Sequence, residues 1–150
     1  MVPKPWSMNI GLMMLFVPFS ASAALGGGVA SVQADQIQMN GTLRTAAVGK
    51  YTEYEIQVPS GTVVREYVSS AGVVFAVAWE GPSLPDLRQV LGTYFEQYVE
   101  AAKTQGGGAG PRVIRQPGLV VHAGGHMRAF SGRAYIPQML PQGVSPDEIQ

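Results

Sequence analysis

Three runs of apolar or β-branched residues follow one another closely in the middle of the chain. They occupy residues 51–58, 62–68 and 73–80. The first alternates apolar and polar side chains, and short segments rich in Ser and Gly separate the three runs. Alternation broken by turn-forming residues is typical of antiparallel strands. The pattern therefore predicts a three-stranded β-meander.

The third run is apolar at both odd and even positions, which predicts a central strand covered on both faces. Its odd positions are bulky, whereas Ala76 and Ala78 give the opposite face small side chains. A helix can approach closely over small side chains. We therefore expect Leu91 and Phe95 of the following helix to pack over Ala76 and Ala78.

A helical pattern begins directly after the meander, with residues 83–86 forming a capping-box-like start. The apolar positions then repeat at helical spacing and predict one long helix with a single buried stripe. The stripe comprises Leu87, Leu91, Tyr94, Phe95, Tyr98 and Ala102. A Gly-rich segment at residues 105–111 ends the helix and predicts a flexible internal linker.

A shorter helix of about ten residues is predicted nearer the start, with Ser31 as its cap and Asn40-Gly41 at its end. Ala30, Ala34 and Ile37 share one face of this helix, and Asp35 is expected on its surface. The preceding residues 24–28 are expected to be flexible.

The last third of the chain predicts a C-terminal β-hairpin and a Pro-rich tail. Its strands are expected at residues 118–123 and 127–135, joined at Gly124-Gly125. Three prolines after residue 136 exclude regular strand there. The whole pattern predicts a single α+β domain over residues 24–150, with a long helix packed on an antiparallel meander.

Residues 1–23 have the form of a secretory signal peptide. Lys4 precedes an apolar run from Met8 to Phe19, and a small-residue A-x-A site ends at Ala23. The apolar run is shorter than the ~20 residues that span a bilayer. We expect cleavage between Ala23 and Ala24, a periplasmic or secreted mature protein, and no transmembrane span in it.

Composition narrows the class of partner. Residues 24–150 carry one more acidic than basic residue, which gives no support to nucleic acid as a ligand. The chain has 0 cysteines, so the exported domain relies on packing rather than disulfides. The partner expected on these grounds is an envelope protein or a small anionic ligand.

The two histidines are the only residues that suggest catalysis or metal binding. His122 and His126 are four apart, but Gly124-Gly125 between them argues against a helix carrying both. The sequence has neither a third ligand at metal-binding spacing nor a nucleophile elbow around Ser131. We expect no cofactor, no metal and no catalytic residue.

The arginines of the last segment are the best sequence candidates for a binding site. Arg128 and Arg133 lie near His126 in a segment that is net basic, and arginine binds carboxylates bidentately. Because the two arginines are five apart, a shared site requires a bulge, which Gly132 could supply. Trp79 is added as a candidate in case its face of the sheet is left uncovered.

Long strings of the sequence resemble a bacterial family known as a domain of unknown function, DUF 2844. They include Pro59-Ser-Gly-Thr-Val-Val-Arg-Glu-Tyr67, Val74-Phe-Ala-Val-Ala-Trp79 and Gly124-Gly-His-Met-Arg-Ala-Phe130. The resemblance covers nearly all of residues 24–150 and implies an exported protein of a Gram-negative bacterium. It supplies no functional residues. Gly28 departs from the family pattern, which has a polar or acidic residue there.

Three functions remain open at this point. The favoured one is a non-enzymatic binding or interaction module of the periplasm. The second is an envelope enzyme of hydrolase type that uses His122 or His126. The third is a secreted or surface structural component.

Overall fold

The computed structural model describes residues 24–106 and 110–150, and the predicted signal peptide (1–23) and the centre of the predicted linker (107–109) lie outside them. The described residues form an α+β fold around one seven-stranded antiparallel sheet of strand order β1-β2-β3-β4-β7-β6-β5. The strands are β1 (Thr42–Val48), β2 (Tyr51–Gln57), β3 (Val63–Ser69), β4 (Val74–Gly81), β5 (Arg112–Gln116), β6 (Leu119–His126) and β7 (Ala129–Tyr135).

The predicted meander corresponds to β2, β3 and β4, and β4 occupies the centre of the sheet as expected. The sequence did not predict the two edge strands, β1 and β5. Nearly every position of β1 is exposed, and Ile114 is the one buried residue of β5. An edge strand with so little buried side chain leaves no apolar alternation to detect.

The described residues form three α-helices: α1 (Val29–Gln38), α2 (Leu87–Leu91) and α3 (Phe95–Thr104). The predicted long helix is interrupted, because Gly92 adopts φ 54° and a 3-10 turn, Gly92–Tyr94, joins α2 to α3. The helix start also differs from the prediction. Asp86 is the N-cap, and its carboxylate accepts hydrogen bonds from the backbone N–H groups of Arg88 and Gln89.

Helix α1 has the predicted length and end, but its buried face is not the predicted one. Ser31, Val32 and Asp35 are buried, whereas Ile37 is 76% exposed. The N-cap is Gly28 rather than Ser31, whose hydroxyl instead donates to the Gly28 carbonyl. The inner face of α1 carries the polar residues Ser31 and Asp35, so the pattern of apolar residues does not identify it as the buried face.

The sheet has two covered faces. The helical face packs its side chains against α1, α2 and α3, and its buried cluster includes Val77, Trp79 and Leu91. The tail face is covered by residues 137–150, the C-terminal tail, and its cluster includes Ala76 and Ala78.

The expectation that Leu91 and Phe95 pack over Ala76 and Ala78 is therefore wrong, because these residues belong to opposite faces. The β3–β4 register shifts between Tyr67 and Val68, so that the regular alternation of β4 is broken near Phe75. Phe75 joins Ala76 in the tail-face cluster, while Val74 and Val77 belong to the helical-face cluster.

The first described residues are part of the packed structure, so the expected flexibility of residues 24–28 is wrong. Ala24 and Leu25 are 0% and 2% exposed. Backbone hydrogen bonds tie Gly26 and Gly27 to both polar groups of Val74 in β4. Glycines lack a side chain, which allows the backbone to lie this close to a strand.

The turn between β6 and β7 lies at Met127-Arg128 rather than at Gly124-Gly125, and Arg128 has φ 66°. Gly124 and Gly125 are paired within β6, opposite Ser131 and Phe130. Within the described ranges, no helix has the length and apolar character required to cross a membrane.

Candidate functional site

The C-terminal tail is attached to the tail face by apolar packing of Leu140, Val144 and Ile149 and by a set of polar contacts. Arg133 Nη1 donates to the carbonyl oxygens of Pro146 at 3.0 Å and Ile149 at 3.2 Å, and Arg133 Nη2 lies 3.5 Å from Asp147 Oδ1. The Tyr67 hydroxyl donates to the Gln150 carbonyl oxygen at 2.8 Å and accepts from its backbone N–H.

Further contacts fix the two ends of the tail. Arg65 Nη1 also donates to the Gln150 carbonyl oxygen, and Lys50 Nζ donates to that of Gln142. Ile149 is the side chain that the tail buries most deeply, at 1% exposed. Hydrogen bonds to backbone carbonyls, together with the packing of Leu140, Val144 and Ile149, hold the tail as a strap.

A groove of about 590 Å³ lies beside this strap, and we refer to it as the tail groove. Strands β4 to β7 contribute Trp79, Glu80, Arg112, His122, Ser131 and Arg133, and the tail contributes Ile149 and Gln150. Gly124, Gly125 and Gly132 also line it.

His122 is the chemically unusual residue of the tail groove. It pairs with Arg133 across β6 and β7, so both side chains project from the same face of the sheet. His122 Nε2 is buried and has no hydrogen-bond partner among the described residues. Burial lowers the pKa of His122 below its usual value, and the nearby charges of Arg133 and Arg115 lower it further.

Trp79 connects the tail groove to the helical face. Its ring belongs to the helical-face cluster and lies against Gly132, where an added Cβ would come within 2.2 Å of Trp79 Cζ2. Because a Cβ there would clash with the ring, only glycine can occupy position 132. The indole Nε1 of Trp79 is buried and, in the part of the chain that the structure describes, has no hydrogen-bond partner.

The tail groove brings together some of the residues that the sequence singled out and not others. Trp79, His122 and Arg133 line it. His126 and Arg128 are exposed on or beside the β6–β7 turn, and Arg128 lines a smaller depression nearby.

The bulge expected at Gly132 is absent, because β7 pairs in unbroken register with both neighbouring strands. Arg128 and Arg133 are consequently not brought to one cavity.

No hydrogen bond joins Ser131 to His122 within residues 24–106 and 110–150. The same ranges contain no group of three or more His, Asp or Glu residues placed to hold a metal ion. The groove as described thus has an unpartnered imidazole and a guanidinium, which are groups suited to binding an anion.

A second polar cluster, which the sequence analysis missed, lies under the helical face. Asp35 of α1 and Glu66 of β3 are 0% and 1% exposed, and their carboxyl groups hydrogen-bond to each other. Gln89 Nε2 also donates to Asp35 Oδ1 at 2.7 Å. Burial, together with the neighbouring Asp35 carboxyl, raises the pKa of Glu66 to about 9.

A signal for this pair was present in the sequence. Glu66 is in phase with Val64 and Val68, the apolar positions of β3, so an acid stands where the alternation requires an apolar residue. A buried acid of this kind needs a partner. Asp35 gave no comparable signal, because α1 is short and weakly amphipathic.

The chain belongs to the family described as "Protein of unknown function (DUF2844)", whose profile matches residues 21–149. This confirms the resemblance noted in the sequence. No curated protein and no solved structure is significantly similar to the chain.

Proposed function

We propose that this member of the DUF2844 family is exported and acts as a non-enzymatic binding module, with the tail groove as its ligand site. The ligand class we infer is a carboxylate, either a small anion or an acidic group of an envelope protein. The observation that carries the proposal is the buried, unpartnered Nε2 of His122 beside Arg133 in an open groove. A buried polar atom without a partner is rare in a folded protein and marks a place where a ligand can bind.

The charges around the groove favour an anion. Among the described side chains that line it, those of Arg112, Arg133 and His122 outnumber the acidic one, that of Glu80. Three contacts engage the Arg133 guanidinium, which has five N–H donors. A carboxylate placed between Arg133 and His122 would favour the charged imidazolium and accept a hydrogen bond from it.

This coupling gives binding a definite pH dependence. In the free protein, burial and nearby arginines hold the pKa of His122 below its ordinary value, so the ring is neutral at pH 7. An anion raises that pKa and takes up a proton on binding. Affinity for a carboxylate should therefore increase as the pH falls from 7 towards 5.

The binding test uses the tryptophan of the groove as its reporter. The chain has 2 tryptophans, Trp6 and Trp79, so residues 24–150 contain Trp79 alone. We expect Trp79 fluorescence to change when either of two ligands binds. One is a short peptide with a free C-terminal carboxylate, and the other is a small dicarboxylate, succinate. The same peptide with an amidated C-terminus serves as the ligand control.

The two histidines provide matched variants. His122→Phe should weaken carboxylate binding by ~10- to 100-fold, the range for losing a charge-assisted hydrogen bond. His126→Phe alters the exposed position and should bind as the parent does. Equal affinities for the two variants, or equal binding of free and amidated peptide, would contradict the proposed site.

Export is tested separately, on protein from its native source. We expect the envelope or culture-fluid fraction to contain a chain that starts at Ala24, as measured by N-terminal sequencing or intact mass. A chain that keeps residues 8–19 would contradict cleavage. Recovery in large assemblies at the cell surface would favour the structural-component alternative instead.

A further inference from the structure

The buried Asp35–Glu66 pair lacks a positive charge. None of the ion pairs among the described residues involves either carboxyl group. Beyond the contact between the two carboxyls, Asp35 Oδ2 and Glu66 Oε2 have no hydrogen-bond partner in the ranges that the structure describes. A buried carboxylate with no cation beside it is strongly unfavourable.

A single proton shared by the two carboxyl groups neutralises only one of them. With its pKa raised to about 9, Glu66 is protonated at neutral pH and can donate to Asp35. Asp35 is then the ionised member, and burial also raises its pKa. Its neighbours on the surrounding elements are Gln89 of α2 and the protonated Glu66, both uncharged.

The backbone nitrogen of Ala24 lies at this pair. The Ala24 N–H hydrogen-bonds to the Asp35 carboxyl, and Ala24 is 0% exposed. The residues that follow hold it there. Leu25 N–H donates to the Val90 carbonyl at 3.3 Å, and Gly26 N–H donates to the Val74 carbonyl at 2.8 Å.

The backbone of Ala24 is strained in the uncleaved chain. Its φ is 81°, in the left-handed region, which is unfavourable for a residue with a Cβ. The angle φ is defined by the carbonyl carbon of the preceding residue. Hydrolysis of the bond before Ala24 removes that carbonyl group and the strain with it.

Ala24 is also the first residue after the predicted cleavage site. We propose that the Asp35–Glu66 pair is the binding site for the α-ammonium group of Ala24 that forms when the Ala23–Ala24 bond is hydrolysed. The inference rests on the signal cleavage in the proposed function. Water supplies the hydroxyl group of the new Ala23 carboxyl and a hydrogen for the Ala24 nitrogen, which takes a further proton from solvent at neutral pH.

The charges then balance inside the protein. The ammonium of Ala24 pairs with the carboxylate of Asp35, and the neutral Glu66 carboxyl donates to the same carboxylate. Removal of the signal peptide thus completes the helical face, and the cleaved chain is more stable than the uncleaved one.

The test compares two chains with the same residues 24–150, one with a free α-amine and one Nα-acetylated at Ala24. At pH 7 the free amine should lower the unfolding constant at least ~10-fold, which corresponds to a one-unit change in pKa between the states. Asp35→Asn should remove the electrostatic part of this difference, since it destabilises the free-amine chain but relieves a buried charge in the acetylated chain. The strain at Ala24, which the acetyl carbonyl restores, is the same with either residue at position 35. Equal stability of the two parent chains would overturn the proposal.

Asp147→Asn is the matched control. The Asp147 side chain is 89% exposed, and the substitution should have the same effect in both chains. If Asp35→Asn fails to fold, acylation of the α-amine provides a second measurement. In the parent, an amine-reactive reagent should modify the native chain at least ~10-fold more slowly than the urea-unfolded chain, whose amine is free in solution. Equal rates would contradict burial of the ammonium.

The pH profile of the stability difference is a third measurement. Polar groups facing the pair from packed elements are Gln89 of α2, Tyr54 opposite Glu66 in β2, and Ala24 itself. The advantage of the free amine should appear as Asp35 ionises, be greatest near neutrality, and disappear as the α-amine loses its proton at high pH. A pH-independent difference would contradict an ion pair.

These results are separable from those on export. Native protein that begins elsewhere than Ala24 would contradict the cleavage site, whatever the recombinant chains show. A native start at Ala24 with equal stability of the free and acetylated chains would leave export intact and eliminate the ammonium site.

Discussion

The two faces of the sheet are covered in different ways. On the helical face, side chains such as Leu91 and Val32 are completely buried against the strands. On the tail face, the cover is a strap whose carbonyl groups accept hydrogen bonds from Arg133, Arg65 and Tyr67. Apolar packing closes the first face, whereas the second face, which also has a buried apolar cluster, keeps an open groove beside the tail.

The ionisable groups of the two faces also differ in whether solvent and ligands can reach them. The helical face holds a buried pair of acids, Asp35 and Glu66, which the fold closes off from solvent. The tail face presents His122 and Arg133 to a groove that a ligand can enter. The two proposals above accordingly assign maturation to the closed face and recognition to the open face.

The largest effect should come from the closed face. Leu91→Ala removes a side chain that is 0% exposed and leaves a cavity between α2 and the sheet. We expect the free energy of unfolding to fall by about 2–5 kcal/mol in urea denaturation. Leu84→Ala, at a residue 50% exposed, is the matched control and should cost much less. Similar losses for the two variants would break the distinction between a packed and an open cover.

A smaller and more local effect is expected on the tail face. Arg133→Gln removes the charge-assisted contacts to Pro146, Ile149 and Asp147. We expect a loss of about 1.5–3 kcal/mol, with faster amide exchange in the tail but not in α2. Arg128→Gln on the exposed turn is the control. Exchange that accelerates equally on both faces would show that the strap is not a separate unit.

The sequence predicted the parts of the fold in which burial follows a simple period. The strands β2 to β4 and the apolar stripe of α2 and α3 were predictable because their side chains alternate or repeat at helical spacing. The interruption at Gly92 was not, because a backbone break does not change which residues are apolar.

The bulge near Phe75 escaped prediction for a related reason. Every residue of β4 around it is apolar, and a one-residue shift of an all-apolar strand leaves no trace in the pattern. The helix was assigned to the wrong face for another reason: the small side chains of Ala76 and Ala78 were expected to admit it, whereas the tail covers them.

The candidate site was predictable only in part. His122, Arg133 and Trp79 were named from residue type, and all three line the tail groove. That Arg133 attaches the tail could not be predicted, because its acceptors are carbonyl groups, which every residue has. The burial of Ala24 and Leu25 was not predictable either, because the three glycines that follow them are typical of a flexible segment.

The smallest predicted effect concerns Gly28, at the start of α1. Gly28 is the N-cap of α1 with φ −91°, a conformation open to any residue, and α1 has no side-chain cap. A Cβ at this position would meet its nearest heavy atom, the Gly72 carbonyl oxygen, at 3.8 Å, so there is room for a side chain. Gly28→Ser should stabilise the protein by about 0.5 kcal/mol, through a cap hydrogen bond and a less flexible unfolded chain. Gly28→Ala shares the second contribution but not the first, so thermal unfolding of the two variants isolates the cap. The gain should protect amides of α1 and leave those of the tail unchanged, because the two lie on opposite faces of the sheet. A serine variant no more stable than the alanine variant would mean that α1 draws its order from burial of Val32 and Asp35 alone.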